Sequence, residues 1–67
     1  MRYVEFRDAI RGELKRAKGG RTWVELREGL GLPYERACPE WVKRLEDEIG
    51  LKRERVDGRG RGYVWRV

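Results

Sequence analysis

Residues 22–50 of the chain read TWVELREGLGLPYERACPEWVKRLEDEIG, and this stretch contains two helix starts. The first is a capping box, in which the Thr22 hydroxyl can accept from the amide of Glu25 while the Glu25 carboxylate reaches back to the amide of Thr22. A helix of about two turns is therefore predicted to begin at Trp23. Two glycines are placed to end it in the left-handed conformation, Gly29 or Gly31.

The second helix start lies at Cys38-Pro39. Proline suits the first helical position because its missing amide would have no partner there, and Gly50 is placed to end the helix. Cys38 is predicted to be a partly buried side chain at the helix start, and Leu51 to fold back onto the helix. The apolar side of this helix consists of Trp41, Val42, Leu45 and Ile49. Its outward side consists of Glu40, Lys43, Arg44 and Asp47.

Upstream of this stretch, apolar residues recur at spacings of three and four and predict a helix over residues 3–18. The apolar stripe consists of Tyr3, Phe6, Ile10, Leu14 and Ala17. Beside it, about 100° around the helix, lies a second stripe of four cations, Arg7, Arg11, Lys15 and Lys18. These cations either contact phosphates or form a solvated helix face, on which Asp8 would pair with Arg11 or Lys15.

Downstream, residues 52–67 read KRERVDGRGRGYVWRV, which is the pattern of a strand, a glycine-rich turn and a strand. A C-terminal β-hairpin is predicted, with Arg59 and Arg61 alternating with glycines at its tip. Two registers remain open, because Val56 could pair with Tyr63 or with Val64.

The 67 residues allow one small domain, predicted to span residues 1–67, and they carry a net charge of +5. Residues 1–21 and residues 52–67 each carry a net charge of +4, whereas residues 22–51 carry −3. A polyanion should therefore contact the two ends of the chain and few residues of its middle. The alternative is that the basic ends only increase solubility.

Most of the side chains that enzymes use are missing from the composition. The chain contains no His, Ser, Asn or Gln, and Thr22 bears its only aliphatic hydroxyl. The single cysteine, Cys38, cannot form an intramolecular disulfide or assemble a zinc site of the Cys/His kind. We therefore expect no enzymatic activity, no metal and no cofactor.

We expect the protein to act in the cytoplasm and without a membrane. No apolar run approaches the roughly 20 residues that span a bilayer, and residues 1–8 are too charged for a signal peptide. The chain has 17 basic and 12 acidic residues. This composition is typical of a thermophile, because ion-pair networks cost less at high temperature.

The order of helix, capped short helix, helix and basic hairpin resembles that of winged helix-turn-helix domains, over nearly the whole chain. Residues 22–26 open the second helix and Gly31-Leu32 end it, residues 39–50 occupy the recognition-helix position, and residues 52–67 occupy the wing position. The resemblance implies an α+β fold, a winged helix in which three helices are followed by a C-terminal β-hairpin wing.

In this family the third helix usually enters the DNA major groove, and the wing contacts the backbone or the minor groove. The resemblance therefore implies a double-stranded DNA partner and base contacts from the third helix, through Glu40, Lys43, Arg44 and Asp47. It implies wing contacts from Lys52, Arg55, Arg59 and Arg61. Apart from the resemblance, Arg7, Arg11, Lys15 and Lys18 could supply further phosphate contacts if the first helix lies on the same side of the domain. Such a protein would be a small transcription regulator or a chromosomal or replication accessory protein, acting as a homodimer or within a larger complex.

Winged-helix domains also serve as protein-interaction modules, which is the competing hypothesis. The acidic middle of the chain would then contact a basic partner or a second copy of this chain. Salt-dependent binding to duplex DNA would distinguish the two hypotheses.

Overall fold

A computed structural model of the protein describes residues 1–55 and 63–67. The described part is an α+β domain with three helices and a three-stranded antiparallel sheet, a layout that is compatible with a winged helix. The helices are α1 (Tyr3–Arg16), α2 (Trp23–Leu30) and α3 (Pro39–Glu48). The strands are β1 (Arg21–Thr22), β2 (Lys52–Arg55) and β3 (Tyr63–Arg66), and their order in the sheet is β1-β3-β2.

The predicted capping box at the start of α2 is confirmed in both directions. The Glu25 amide donates to Thr22 Oγ1 at 3.2 Å, and the Thr22 amide donates to Glu25 Oε1 at 2.8 Å. Of the two glycines that could end the helix, Gly31 does so with φ of 63°. The amide of Leu32 then donates to the carbonyl of Arg27 at 2.9 Å, which closes the helix end.

Helix α3 begins at Pro39, as predicted, and Cys38 is its N-cap residue. The Cys38 side chain is exposed and makes no capping hydrogen bond, so the prediction that it is partly buried is wrong. At the other end, Gly50 has φ of 69°, and buried Leu51 donates its amide to the carbonyl of Leu45 at 3.3 Å. The predicted closure by Gly50 and Leu51 is confirmed.

Helix α1 ends at Arg16, two residues before the predicted end, because Ala17 already leaves helical geometry with ψ of 79°. The predicted apolar stripe of α1 is confirmed, since four of its five residues are buried and Ala17 is half-buried. Within α3, Val42 and Leu45 are buried, whereas Trp41 and Ile49 are half-buried against the core. The core cluster consists of Tyr3, Phe6, Ile10, Leu14, Leu26, Leu32, Val42, Leu45, Leu51 and Trp65.

Strand β1 is a feature that the sequence did not predict. It is two residues long, with Arg21 opposite Trp65 and Thr22 opposite Val64. A strand this short has no alternating pattern of its own, and the Thr22 signal indicates only the helix that follows. Its pairing with β3 turns the predicted hairpin into a three-stranded sheet.

Both predicted hairpin registers are wrong. The two strands pair with Arg55 opposite Tyr63, Glu54 opposite Val64 and Arg53 opposite Trp65. The predicted registers instead placed Val56 opposite Tyr63 or opposite Val64. All four residues of β2 are exposed, so no apolar face on this strand specifies a register. Buried Trp65 instead stacks on Trp23 with ring centroids 5.4 Å apart, and the packing of β3 on the core sets its position.

Candidate nucleic-acid interface

A groove with a volume of about 790 Å³ lies between one flank of α1, the end of α3 and the end of β3, and we call it the basic groove. It contains five cations, Arg7, Arg11, Lys15, Lys18 and Arg66, and two carboxylates, Asp8 and Glu48. Its apolar lining consists of Leu14, Ala17, Ile49 and Val67. The four cations predicted on the flank of the first helix therefore line one groove.

The helical period explains the positions of Arg7, Arg11 and Lys15, because residues four apart lie on the same side of α1. Lys18 follows two residues after the helix ends. Arg66 joins them from β3, and it was not among the predicted site residues. No local pattern identifies Arg66, since only the packing of β3 beside α1 brings the two elements together. The place of Arg66 in the basic groove is therefore a consequence of tertiary structure.

Most cations of the basic groove have no salt-bridge partner among the residues that the structure describes. Asp8 pairs with Arg7, with Oδ1 3.2 Å from Nε, and not with Arg11 or Lys15 as the solvated-face alternative predicted. Within residues 1–55 and 63–67, no salt bridge involves the other four cations, Arg11, Lys15, Lys18 and Arg66. All four are exposed. The groove therefore presents unpaired positive charge to solvent.

Glu48 links α1 to α3 at the edge of the basic groove. Arg7 donates from a guanidinium nitrogen to Glu48 Oε1 at 2.9 Å, and Arg44 donates from Nε to Glu48 Oε2 at 3.3 Å. The hydrogen bond from Arg7 holds the pKa of the Glu48 carboxyl below its ordinary value. Arg7 and Arg44 are thereby partly neutralised within the protein.

Arg44 also packs on an aromatic ring of α1. Its guanidinium carbon lies 3.9 Å from the centroid of the Tyr3 ring, within the range of a cation–π interaction. Tyr3 is buried, and this burial together with the nearby Glu48 carboxylate raises the pKa of its hydroxyl. Arg44, predicted to face bases, therefore lies at the α1 edge of the outward face of α3.

The centre of the outward face of α3 is acidic. Glu40 and Asp47 are seven residues, or about two turns, apart and lie on one line along the helix. Lys43 lies on the opposite edge from Arg44, where it lines a hollow of about 280 Å³ together with Glu46 and Arg53 of β2. The four predicted base-contacting residues are all exposed, but their carboxylates occupy the middle and their cations the edges.

The pleat of β2 separates two of the predicted wing contacts. Side chains alternate along a strand, so Lys52 and Arg55 lie on opposite faces of the sheet. Arg53, which was not among the predicted site residues, shares the face of Arg55, and its guanidinium carbon lies 5.6 Å from the centroid of the Tyr63 ring. The other two predicted wing contacts, Arg59 and Arg61, lie outside the described residues.

A second concave surface, which we call the aromatic groove, has a volume of about 310 Å³ and is lined by Met1, Phe6, Trp23, Tyr34, Cys38 and Trp41. Phe6 and Trp41 are in contact, with ring centroids 5.0 Å apart, and Tyr34 packs edge-on against Trp41 at 5.6 Å. The Trp23 indole donates to the carbonyl of Glu35 at 3.0 Å, which holds the connection before α3 against α2.

Residues 1–55 and 63–67 contain no group of three His, Cys, Asp or Glu side chains placed to hold a metal ion. None of the described helices is long and apolar enough to cross a membrane. No protein-family model, curated protein or solved structure matches this chain.

Proposed function

We propose that the protein binds double-stranded DNA as a winged-helix domain. The observation that carries this proposal is the basic groove, in which four exposed cations have no salt-bridge partner within the described residues. Surface cations of a folded protein that are not used internally are available to phosphates, and phosphate contacts dominate the affinity of proteins for DNA.

The position of α3 supports the same proposal. On one side it is joined to α1 and the basic groove through the Arg7–Glu48 ion pair. On its other side lies Arg53 of β2, which lines a hollow together with Lys43 of α3. Cations from both ends of the chain therefore flank α3, in agreement with the net charge of +4 at each end.

The biological role that fits this activity is that of a small transcription regulator or a chromosomal or replication accessory protein. It would be a cytoplasmic, non-enzymatic protein that acts by occupying DNA. A single domain of this size makes few contacts, so a homodimer or a larger complex would increase the affinity.

Fluorescence anisotropy with a labelled DNA duplex tests the proposal. If four phosphates are contacted, the slope of log affinity against log salt should be about −3.6, and affinity should fall about 150-fold between about 50 and 200 mM salt. Absence of binding at the lower salt concentration, or binding that is indifferent to salt, would contradict DNA as the partner.

A second candidate function is protein interaction, and the aromatic groove is the observation that favours it. Partly exposed aromatic side chains are enriched at protein interfaces, and Trp23, Tyr34 and Trp41 are all half-buried here. Size-exclusion chromatography with light scattering, on the wild type and on Trp41→Ala, would detect self-association through this groove. A monomer that binds DNA would favour the first function, whereas a Trp41-dependent dimer without DNA affinity would favour the second.

A further inference from the structure

We infer that the basic groove, and not the outward face of α3, is the principal DNA contact, and that it holds backbone phosphates without regard to base sequence. This inference rests on the proposed function and specifies which surface and which chemical groups perform it. It departs from the docking that the winged-helix resemblance implies, in which the third helix reads bases.

The charge at the centre of α3 opposes insertion into the major groove. Glu40 and Asp47 occupy the most outward line of the helix, which would face the floor of the groove, where the negative potential of the duplex opposes carboxylates. Among base edges, a carboxylate finds a hydrogen-bond donor in the cytosine amino group and a mismatch in the guanine acceptors. The most exposed line of α3 therefore adds repulsion towards the duplex as a whole and is limited to base edges that present an amino donor.

The one arginine on the outward side of α3 is already in use. Arg44 donates to Glu48 and packs over the Tyr3 ring, and it would have to leave both to reach a guanine. Leaving them would remove one of the two cations that neutralise Glu48, which lies beside buried Tyr3. Lys43 remains, and one lysine acting as a point charge provides little discrimination between bases.

The basic groove differs from the outward face of α3 both in its charge and in how free its cations are to contact DNA. Arg11, Lys15 and Lys18 from the α1 side and Arg66 from β3 are exposed and lack salt bridges within the described part of the chain. The groove is concave, a shape that fits the convex edge of a sugar–phosphate strand, and its apolar lining can contact the sugar. Lysine and arginine donors directed at phosphates position a duplex but carry no sequence information.

The test compares three pairs of substitutions with the same change of net charge. The groove variant is Lys15→Ala with Lys18→Ala, and the α3 variant is Lys43→Ala with Arg44→Ala. The control is Arg2→Ala with Arg36→Ala, because both arginines are exposed and neither lines the groove. Binding is measured by anisotropy over a range of salt concentrations, with three duplexes of unrelated sequence.

For the groove variant we expect the slope of log affinity against log salt to become less steep by about 1.8, equally for all three duplexes. The α3 variant and the control should each change the slope by less than about half that amount. The wild type should bind the three duplexes within about tenfold of one another, in contrast to the roughly 10³-fold or greater preference of sequence-specific proteins.

The outcomes separate this inference from the proposed function. A wild type that fails to bind any duplex contradicts the proposed function itself. A wild type that binds, with a groove variant indistinguishable from the control, overturns only the inference, as does an α3 variant that weakens one duplex far more than the others. Lys15→Gln with Lys18→Gln provides a second groove variant, and a thermal melt of each protein confirms that it is folded.

Discussion

Gly20 packs so closely against Val64 that a side chain at position 20 would have no room. A Cβ atom on Gly20 would overlap with Val64 Cγ1 and would lie 2.9 Å from the carbonyl oxygen of Trp65. Gly20 also has φ of 85°, a conformation that residues with a Cβ rarely adopt. This close approach lies directly before β1, the strand that pairs with β3 in the three-stranded sheet.

Gly20→Ala should therefore destabilise the protein strongly. The left-handed conformation and the contact with Val64 together should cost on the order of 3 kcal/mol. In a domain of this size that loss should lower Tm by about 12–24 °C. Gly12→Ala is the control, because a Cβ on Gly12 would point into open space, and alanine in the middle of α1 should stabilise by about 1 kcal/mol. Equal melting temperatures for the two variants would contradict the close packing of Gly20.

The capping box at Thr22 makes a second prediction. Thr22→Ala removes the oxygen that accepts from the Glu25 amide, and it should lower the free energy of unfolding by about 1 kcal/mol. Thr22→Ser keeps the oxygen and should retain most of the stability. Urea denaturation of both variants measures the difference, and a serine variant as unstable as the alanine variant would show that the hydroxyl has no capping role.

The ion pair of Glu48 predicts a dependence on pH. Because the Arg7 hydrogen bond holds the folded-state pKa of Glu48 below its unfolded value, its contribution to stability is complete above the ordinary glutamate pKa of about 4.3. That contribution is lost as the pH falls through the lower, folded-state value. Glu48→Gln should therefore lose less stability than the wild type when denaturation is measured from about pH 7 down to about pH 3.

Glu46→Gln is the matched control for this experiment. Glu46 lies on the same helix and forms no salt bridge within residues 1–55 and 63–67. Its acid profile should follow that of the wild type more closely than the Glu48→Gln profile does. If the Glu48→Gln and wild-type profiles were parallel, the contact between α1 and α3 would not depend on this carboxylate.

The glycine-arginine segment supports a prediction that rests on sequence alone. Arg59→Ala with Arg61→Ala should leave stability nearly unchanged, because arginines between glycines have little apolar surface to cover. If both contact phosphates, the salt slope of DNA binding should become less steep by about 2. An unchanged slope, combined with lost binding when the basic groove is altered, would show that these arginines are not DNA contacts.

Features whose causes lie within a few residues could be predicted from the sequence. The capping box joins residues three apart, the N1 proline acts at its own position, and the closing glycines act within one turn of the helix they end. The cationic flank of α1 belongs to the same class, because helical period alone places Arg7, Arg11 and Lys15 on one side, and Lys18 follows just beyond the end of the helix. Local hydrogen bonding and steric restriction determine such features before any tertiary contact forms.

Only the tertiary structure decided how these elements meet. Arg7 and Glu48 pair across 41 positions, Arg44 packs on Tyr3 of another helix, and Arg66 enters the basic groove through the packing of β3. Strand β1 and the register of β2 depend likewise on β3, which pairs with both strands. The physical reason is that β2 has no apolar face and β1 only two residues, so neither carries a pattern that selects its partner. The burial of Val64 and Trp65 fixes the position of β3, and β1 and β2 then pair with it. The contacts that bury these two residues come from elements that are distant in the sequence.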